Sequence, residues 1–380
     1  MPGNRARLTT RTALLLLAGG LAFAMLPAPA FLAEGEAPAE PPATTRIRYA
    51  DYLKSQAGLP MPELDLVVPA AEPAAVDGAS VTTIADYEGR GPVLYWDNQE
   101  GSVRYEVQVP ETGLYAISLS YYPAPGRGGT LEYALSINGT EPFEEAGRLS
   151  FQRVWKDAGP ILRDNRGNDL RPSQADDPQW IEAPCRDKDG IESAPFLFRL
   201  EAGTNAIALR CVREIAYLEH LRIHSLPRRP SYAAYRDSLP EAGPVPSGFE
   251  LRIQGEAAVR KSDASLYPIT DRVSPLTEPY DPAKIRLNTI GGYPWRFPGQ
   301  WIEWEFEVPA EGDYEIGLRF RQDQLRGLYT HRRLLVDGAV LFEEADAIRF
   351  PFDPDWKAQP LGGDAPWRIR LEAGRHVLRL

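Results

Sequence analysis

The chain has 380 residues, of which 36 are Pro and 32 Gly, and it carries a formal net charge of -11 with a pI near 5.1. An acidic surface has nothing to offset repulsion from phosphates, which argues against a nucleic-acid partner. Many turn-forming residues and few long apolar runs argue against a helical bundle and fit short strands joined by turns.

In chain order, Arg5, Arg7 and Arg11 precede an apolar run from Ala13 to Leu26 and the small residues Ala28-Pro29-Ala30. That is the layout of a secretory signal, so residues 1–30 are expected to be removed on export, leaving a secreted or cell-envelope protein. The run is shorter than the roughly 20 residues of a spanning helix and nothing like it recurs, so no membrane span is expected. No Cys follows the run, which argues against a lipid anchor. Residues 31–62 read as a linker, extended through the Pro/Ala/Glu stretch 34–45, with a short lead-in at Tyr49-Ala-Asp-Tyr52.

The remaining chain, enough for two domains, carries an internal repeat in which residue n of the first copy matches n+199 of the second. Val103, Tyr105, Val107 and Val109 become Ile302, Trp304, Phe306 and Val308. Their strict alternation with polar residues is that of a half-buried strand. A turn, Pro110-Glu-Thr-Gly113 or Pro309-Ala-Glu-Gly312, leads into a second alternating strand, Tyr115/Ile117/Leu119/Tyr121 or Tyr314/Ile316/Leu318/Phe320. Asn138-Gly139 and Asp337-Gly338 follow as hairpin signals, then Phe143-Glu-Glu-Ala146 and Phe342-Glu-Glu-Ala345.

The last shared element, Arg199-Leu-Glu-Ala-Gly203 and Arg370-Leu-Glu-Ala-Gly374, lies at offset 171, so copy one holds 28 extra residues. They fall in an insertion at about 152–198, polar and turn-rich, which reads as a long surface loop. The expected fold is all-β: two tandem jelly-roll β-sandwiches, module 1 at 63–226 and module 2 at 249–380. A linker at 227–248 containing Tyr232-Ala-Ala-Tyr235 joins them. Copy one ends in a strand, Tyr217–Ile223, whereas copy two stops at Leu380, the equivalent of Leu209. Module 2 is therefore expected to lack its last strand, and the chain to be a piece of a longer protein with a downstream domain. Cys185 and Cys211 leave two alternatives open: a disulfide in an oxidising compartment, or two separate buried thiols.

The order Gly-x-x-x-[Tyr/Trp]-x-[Val/Phe]-x-Val-Pro-x-x-Gly-x-Tyr, then Asp/Asn-Gly, then Leu-Glu-Ala-Gly resembles the jelly-roll carbohydrate-binding modules of families six and thirty-five, of the galactose-binding-domain-like superfamily. Phe151–Asp157 and Asp164–Pro172 also resemble the N-terminal accessory region of large bacterial extracellular solute-binding proteins of sugar ABC transporters. The resemblance implies a carbohydrate ligand, an oligo- or polysaccharide, and a calcium ion held by a Glu on the first strand. Copy two offers Glu256, in Ile253-Gln-Gly-Glu256, for which an ordinary exposed strand carboxylate is the favoured alternative, since the several further oxygen ligands calcium needs are not evident; copy one has Pro69 where that strand would continue.

Sugar modules stack pyranose faces on exposed aromatic rings and direct polar side chains at the hydroxyls. Tyr105, Tyr115, Trp304 and Tyr314 fall on inward positions and belong to the core. Trp96, Trp155, Trp180, Tyr293, Trp295, Trp301, Trp356 and Trp367 lie off the alternation. From these, Trp155 with Asn168 and Asp169 is selected in copy one, and Tyr293 with Trp295 in copy two.

Catalysis finds little support. His220 and His224 sit on one strand, about 13 Å apart by the strand rise and too far for one metal. No His-Glu-x-x-His, phosphate-binding loop or nucleophile elbow occurs. Glu144/Glu145 recur as Glu343/Glu344, as a structural pair would. The reading is a non-enzymatic carbohydrate-binding tandem of a larger exported protein. Its alternatives are a structural or protein-interaction pair and the accessory modules of a glycoside hydrolase.

Overall fold

Val103, Tyr105, Val107 and Val109 are at most 3 % exposed, while Arg104, Glu106 and Gln108 between them face water, so the alternation is realised as a strand with one buried face. A computed structural model describes residues 47–97, 100–126, 128–192, 194–241 and 248–380. The signal at 1–30 and the stretch 34–45 lie outside the described residues, as does 242–247 of the linker. Among the described residues no helix is long and apolar enough to cross a membrane.

Copy one follows helix α1 (Tyr49–Ser55). Its strands are β1 (Asp65–Pro69), β2 (Ala75–Asp77), β3 (Val81–Ile84), β4 (Val93–Trp96), β5 (Ser102–Val109), β6 (Gly113–Pro123), β7 (Leu131–Ile137) and β8 (Leu149–Phe151). The insertion contributes β9 (Trp155–Asp157), β10 (Leu162–Arg163), β11 (Asp169–Leu170), β12 (Gln174–Asp176) and β13 (Ile181–Pro184). Next come β14 (Leu197–Leu200), β15 (Gly203–Arg213) and β16 (Ala216–His224). One sheet runs β2-β5-β15-β7-β8; the other runs β13-β6-β16-β4-β3, with β1 also on β16 and β14 on β6. Trp96, Tyr105, Tyr115, Tyr121, Tyr133 and Phe151 fill the space between them, each such ring contributing roughly 1.5–3 kcal/mol on burial. This is a jelly-roll sandwich, and the fold is all-β.

Copy two follows helix α2 (Tyr232–Ser238) with β17 (Arg260–Lys261), β18 (Pro268–Ile269), β19 (Thr289–Ile290), β20 (Ile302–Val308), β21 (Gly312–Glu315) and β22 (Gly317–Gln322). It continues with β23 (Tyr329–Arg332), β24 (Leu335–Val336), β25 (Ile348–Pro351), β26 (Asp353–Pro360), β27 (Arg368–Leu371) and β28 (Gly374–Arg379). Its second layer holds the pairs β21·β27 and β22·β26, which match β6·β14 and β6·β13, while β23·β25 repeats the register of β7·β8 and goes with the first sheet. Every residue of β6 is buried between flanking strands. Among the described residues its counterparts β21 and β22 pair on one side only, which leaves Ile316, Leu318 and Phe320 half-buried. Among the described residues no strand takes the place that β16 holds in copy one.

Both hairpin signals are turns with two positive φ values, 50° and 82° at Asn138-Gly139 and 52° and 80° at Asp337-Gly338. Both Tyr-x-x-Tyr lead-ins are short helices whose phenol oxygens accept backbone N–H groups along a strand edge. Tyr49 and Tyr52 take those of Leu197 and Arg199, and Tyr232 and Tyr235 those of Arg368 and Arg370. Cys185 and Cys211 are separate buried thiols, and burial pushes the Cys211 thiol up to about 11.

The insertion departs from the surface loop expected of it. Strands β9 and β12 extend copy two's sheet, in the order β12-β9-β17-β20-β28-β24, with Trp155 paired to Lys261. Lys261 is fully buried and bonds Asp157 across this seam. The sequence misled because a polar, turn-rich segment reads alike whether water or another domain's backbone satisfies it. Matching bonds locate part of the extra length. The amide of Cys185 donates to Ile117 and that of Phe196 to Cys185, just as Leu361 donates to Ile316 and Trp367 to Leu361. The connection between these anchors is residues 186–195 in copy one and only 362–366 in copy two. The rest of the extra chain precedes Cys185 and builds the seam.

Candidate functional site

Because Leu218, Leu221 and Ile223 of β16 and Leu119 and Tyr121 of β6 point into the core, their neighbours point outward, as successive strand residues must. Four aromatic residues thereby form a row across the outer face of one sheet. Tyr95 on β4 lies opposite Tyr217 on β16, Tyr217 opposite Tyr122 on β6, and Trp180 immediately precedes β13. Ring centroids step 4.6 Å from Tyr95 to Tyr217, 6.3 Å to Tyr122 and 5.6 Å to Trp180. Tyr87 stacks on Tyr217 at 3.6 Å and meets Tyr122 edge-on at 5.2 Å. Burial and the neighbouring Tyr87 push the Tyr217 phenol up to about 12.

Beside this row lies a network of polar side chains. Arg90 reaches over Trp180, 5.5 Å from its ring centroid, and donates to Glu219 at 2.6 Å. Ser120 donates to the same carboxylate at 2.6 Å. His220 stands between Glu219 and Glu182, 3.4 Å from each. Arg222 grips Asp65 through two bonds, of 2.6 and 2.8 Å, and reaches Glu182 at 3.0 Å. Burial acts to raise the Glu219 carboxyl, yet the Ser120 and Arg90 bonds hold it below its ordinary value. The Trp180 indole N–H is buried with no acceptor among the described residues. The arrangement suits recognition: apolar ring area beside donors and acceptors already held in place. It does not suit nucleophilic chemistry. The Ser120 hydroxyl donates to a carboxylate, and Ser118, though 2.8 Å from His224, is only 3 % exposed within the sheet.

The residues selected from sequence lie elsewhere and do not come together. Trp155 is half-buried at the seam, beside a hollow of about 90 Å³ lined also by Gly128, Gly129 and Asp263, well below the roughly 300 Å³ at which small-ligand sites begin. Asn168 accepts the Ile285 amide. The Asp169 carboxylate is buried, taking the Leu287 amide and the Arg286 and Arg163 guanidinium groups. Both side chains are committed to joining the modules and have no capacity left for a sugar. Trp295 packs against copy two's core, donating to Gln300 O with Arg332 4.2 Å from its ring; it anchors its loop. Tyr293 is 62 % exposed, but Arg296 covers one ring face at 3.8 Å. Trp96 is fully buried, and the Trp356 indole donates to Asp271.

Glu256 sits in a short 3-10 turn, Gly255–Ala257. Its Oε2 is buried with no hydrogen-bond partner, and burial, aided by Asp169, pushes its carboxyl up to about 7. Calcium takes about six to eight oxygen ligands, charged ones among them. No group of three His, Cys, Asp or Glu gathers among the described residues. Glu256 with one other acid, itself already paired with arginines, falls short of that ligand number.

The aromatic row is not legible in the sequence. Tyr122 and Tyr217 each adjoin a core residue, Tyr121 and Leu218, and the alternation that sends those inward sends these out. Only the lateral register of four strands brings them together, and no spacing in the sequence carries that.

No family model matches the chain, and no curated protein matches it. Among solved structures it is similar to a family 35 carbohydrate binding module from Clostridium thermocellum, at 17% identity over 43% of this chain and 99% of that one, with a TM-score of 0.25. It is similar to the CBM35 from Paenibacillus barcinonensis, at 11% identity over 42% and 99%, TM-score 0.25. A third likeness is to the C-terminal CBM6 of LamC from Zobellia galactanivorans, at 15% identity over 43% and 100%, TM-score 0.27. Values this low leave the ligand to be read from the chain's own side chains.

Proposed function

We propose that this chain is a non-catalytic carbohydrate-binding unit of an exported protein, and that copy one takes an oligo- or polysaccharide across the outer face of its β4-β16-β6-β13 sheet. The row Tyr95, Tyr217, Tyr122 and Trp180 with its polar flank carries the reading. Tyr87 and Tyr95 stack on Tyr217 and Tyr122 is only 9 % exposed, so the row forms a joined apolar strip with half-buried Tyr95 and Trp180 at its ends, beside Arg90, Glu182, Glu219 and His220 for the hydroxyl edges of a sugar chain. The larger context we propose is a solute-binding protein of a sugar ABC transporter. Its support is the 151–172 sequence likeness, a segment that here joins the two modules. A structural role for the insertion itself is favoured by the seam and is compatible with sugar binding on the opposite layer of copy one.

Affinity electrophoresis against soluble plant and bacterial polysaccharides tests this. At least one glycan should retard the protein, and Tyr217→Ala and Trp180→Ala should each weaken retention at least tenfold, about 1.4 kcal/mol. Trp155→Ala should not, provided it melts normally. If no glycan retards the wild type, carbohydrate recognition is abandoned. Binding that survives both substitutions moves the site off this face.

A further inference from the structure

Copy two holds a cleft that copy one has closed. It encloses about 340 Å³ and is lined by Glu344, Arg349, Gln359, Gly362, Gly363 and Trp367, within the roughly 300–1,000 Å³ of small-ligand sites. The repeat shows why it is open. The counterpart of Trp367 in copy one is Phe196, fully buried. Residues 186–192 follow its Cys185 anchor as a loop gathered on Asp187, whose carboxylate accepts the amides of Asp189, Ile191 and Glu192. In copy two the same anchors are joined by residues 362–366 alone. Gly362 and Gly363, at φ 88° and 65°, turn the chain at once. A Cβ on Gly362 would lie 2.5 Å from the Ala365 carbonyl oxygen, so the tight turn requires glycine there. Ala347, which lines the cleft, stands where copy one has Arg148, a long side chain held there by Glu132.

We infer that this cleft is a second binding site, a pocket for a single sugar residue, either free or at a chain end; the inference rests on the reading of the chain as a carbohydrate binder. Trp367 supplies the ring, held edge-on by Phe342 at 5.0 Å. The charged walls are fixed in advance: Glu344 accepts the Tyr232 amide at 2.8 Å, and Arg349 lies 4.9 Å from the Tyr329 ring centroid. Gln359 adds an exposed amide able to donate and accept. One aromatic wall with a carboxylate, a guanidinium and an amide around it matches a pyranose, apolar on one face and hydroxylated at its edge. The volume is ample for one pyranose ring.

The test is a titration of the 380-residue protein with D-glucose, D-galactose, D-mannose, D-xylose and D-galacturonic acid, following the indole resonance that disappears in Trp367→Phe. At least one sugar should shift that resonance saturably. Ala347→Arg, which puts copy one's arginine into the wall, should weaken the shift at least tenfold without lowering Tm. If that variant melts early, Gln359→Ala takes its place and should weaken binding several-fold. The inference is overturned if none of the five sugars moves the resonance, or if the stable variant responds as the wild type does. Polysaccharide retention by copy one, lost on Tyr217→Ala, is a separate readout, so either site can fail while the other stands.

Discussion

At the scale of single residues, Glu256 is the clearest case of chemistry that sequence could not supply. Its place in Ile253-Gln-Gly-Glu256 suggested a metal ligand, whereas burial in the fold pushes its carboxyl up to about 7. Folding raises its pKa from 4.5 to about 7, so between those values the folded chain binds a proton that the unfolded chain has released. Stability is therefore highest below the unfolded value and falls as pH rises through that window. The full shift, reduced for partial solvent screening, corresponds to about 2 kcal/mol. Glu256→Gln should remove most of that slope and raise stability at neutral pH, measured as urea unfolding midpoints from pH 4 to 8. An unchanged slope would mean that another group carries it. Trp155, Asn168 and Asp169 teach a related lesson. Residue type marked them correctly as places where an aromatic ring and hydrogen-bonding groups gather, but not that the partner would be the other module.

At the scale of elements, the sequence was legible wherever a periodic pattern is local. The paired strands, the Pro-to-Gly turns and the Asn-Gly and Asp-Gly hairpins all lie where alternation and turn chemistry put them. Lateral order was not legible, since only the β4-β16-β6-β13 register gathers Tyr95, Tyr217, Tyr122 and Trp180. The Tyr-x-x-Tyr lead-ins fall between these cases. Their recurrence was visible, but their task depends on strand edges met far along the chain. Each phenol accepts an edge N–H of β14, β27 or the residue beside it, which would otherwise lack a strand partner. Removing one hydroxyl should cost about 1–2 kcal/mol, the penalty of a bond lost with its donor partly buried. Tyr52→Phe and Tyr235→Phe should each lower stability by that amount in urea titrations, with little change of m-value. A loss under about 0.3 kcal/mol in both would show that water takes over the N–H groups.

At the scale of the molecule, the two copies are neither independent modules nor a flexible tandem. A continuous sheet passes from β12 and β9 into β17 and β20, and buried ionic groups lock it. Lys261 is 0 % exposed against Asp157, and Asp169 holds Arg286 and the Leu287 amide. Buried pairs of this kind contribute little net stability when whole, but breaking one leaves an uncompensated charge that costs roughly 3–5 kcal/mol. That asymmetry couples the copies: either sandwich unfolding alone would strand the other's half of the seam. The intact chain should therefore melt in a single calorimetric transition, with calorimetric and van't Hoff enthalpies in agreement. Asp169→Ala removes the acceptor of the Leu287 amide and one of the two carboxylates on Arg286, which keeps Asp281, while leaving both cores untouched, so the transition should split, with copy two melting first. Among the described residues β21 and β22 pair on one side only, which leaves copy two with fewer strand pairings to lose. Two separate transitions in the wild type would refute the coupling. One transition in Asp169→Ala, lowered by several degrees but undivided, would place the coupling in the β9–β17 backbone pairing and not in the buried charges.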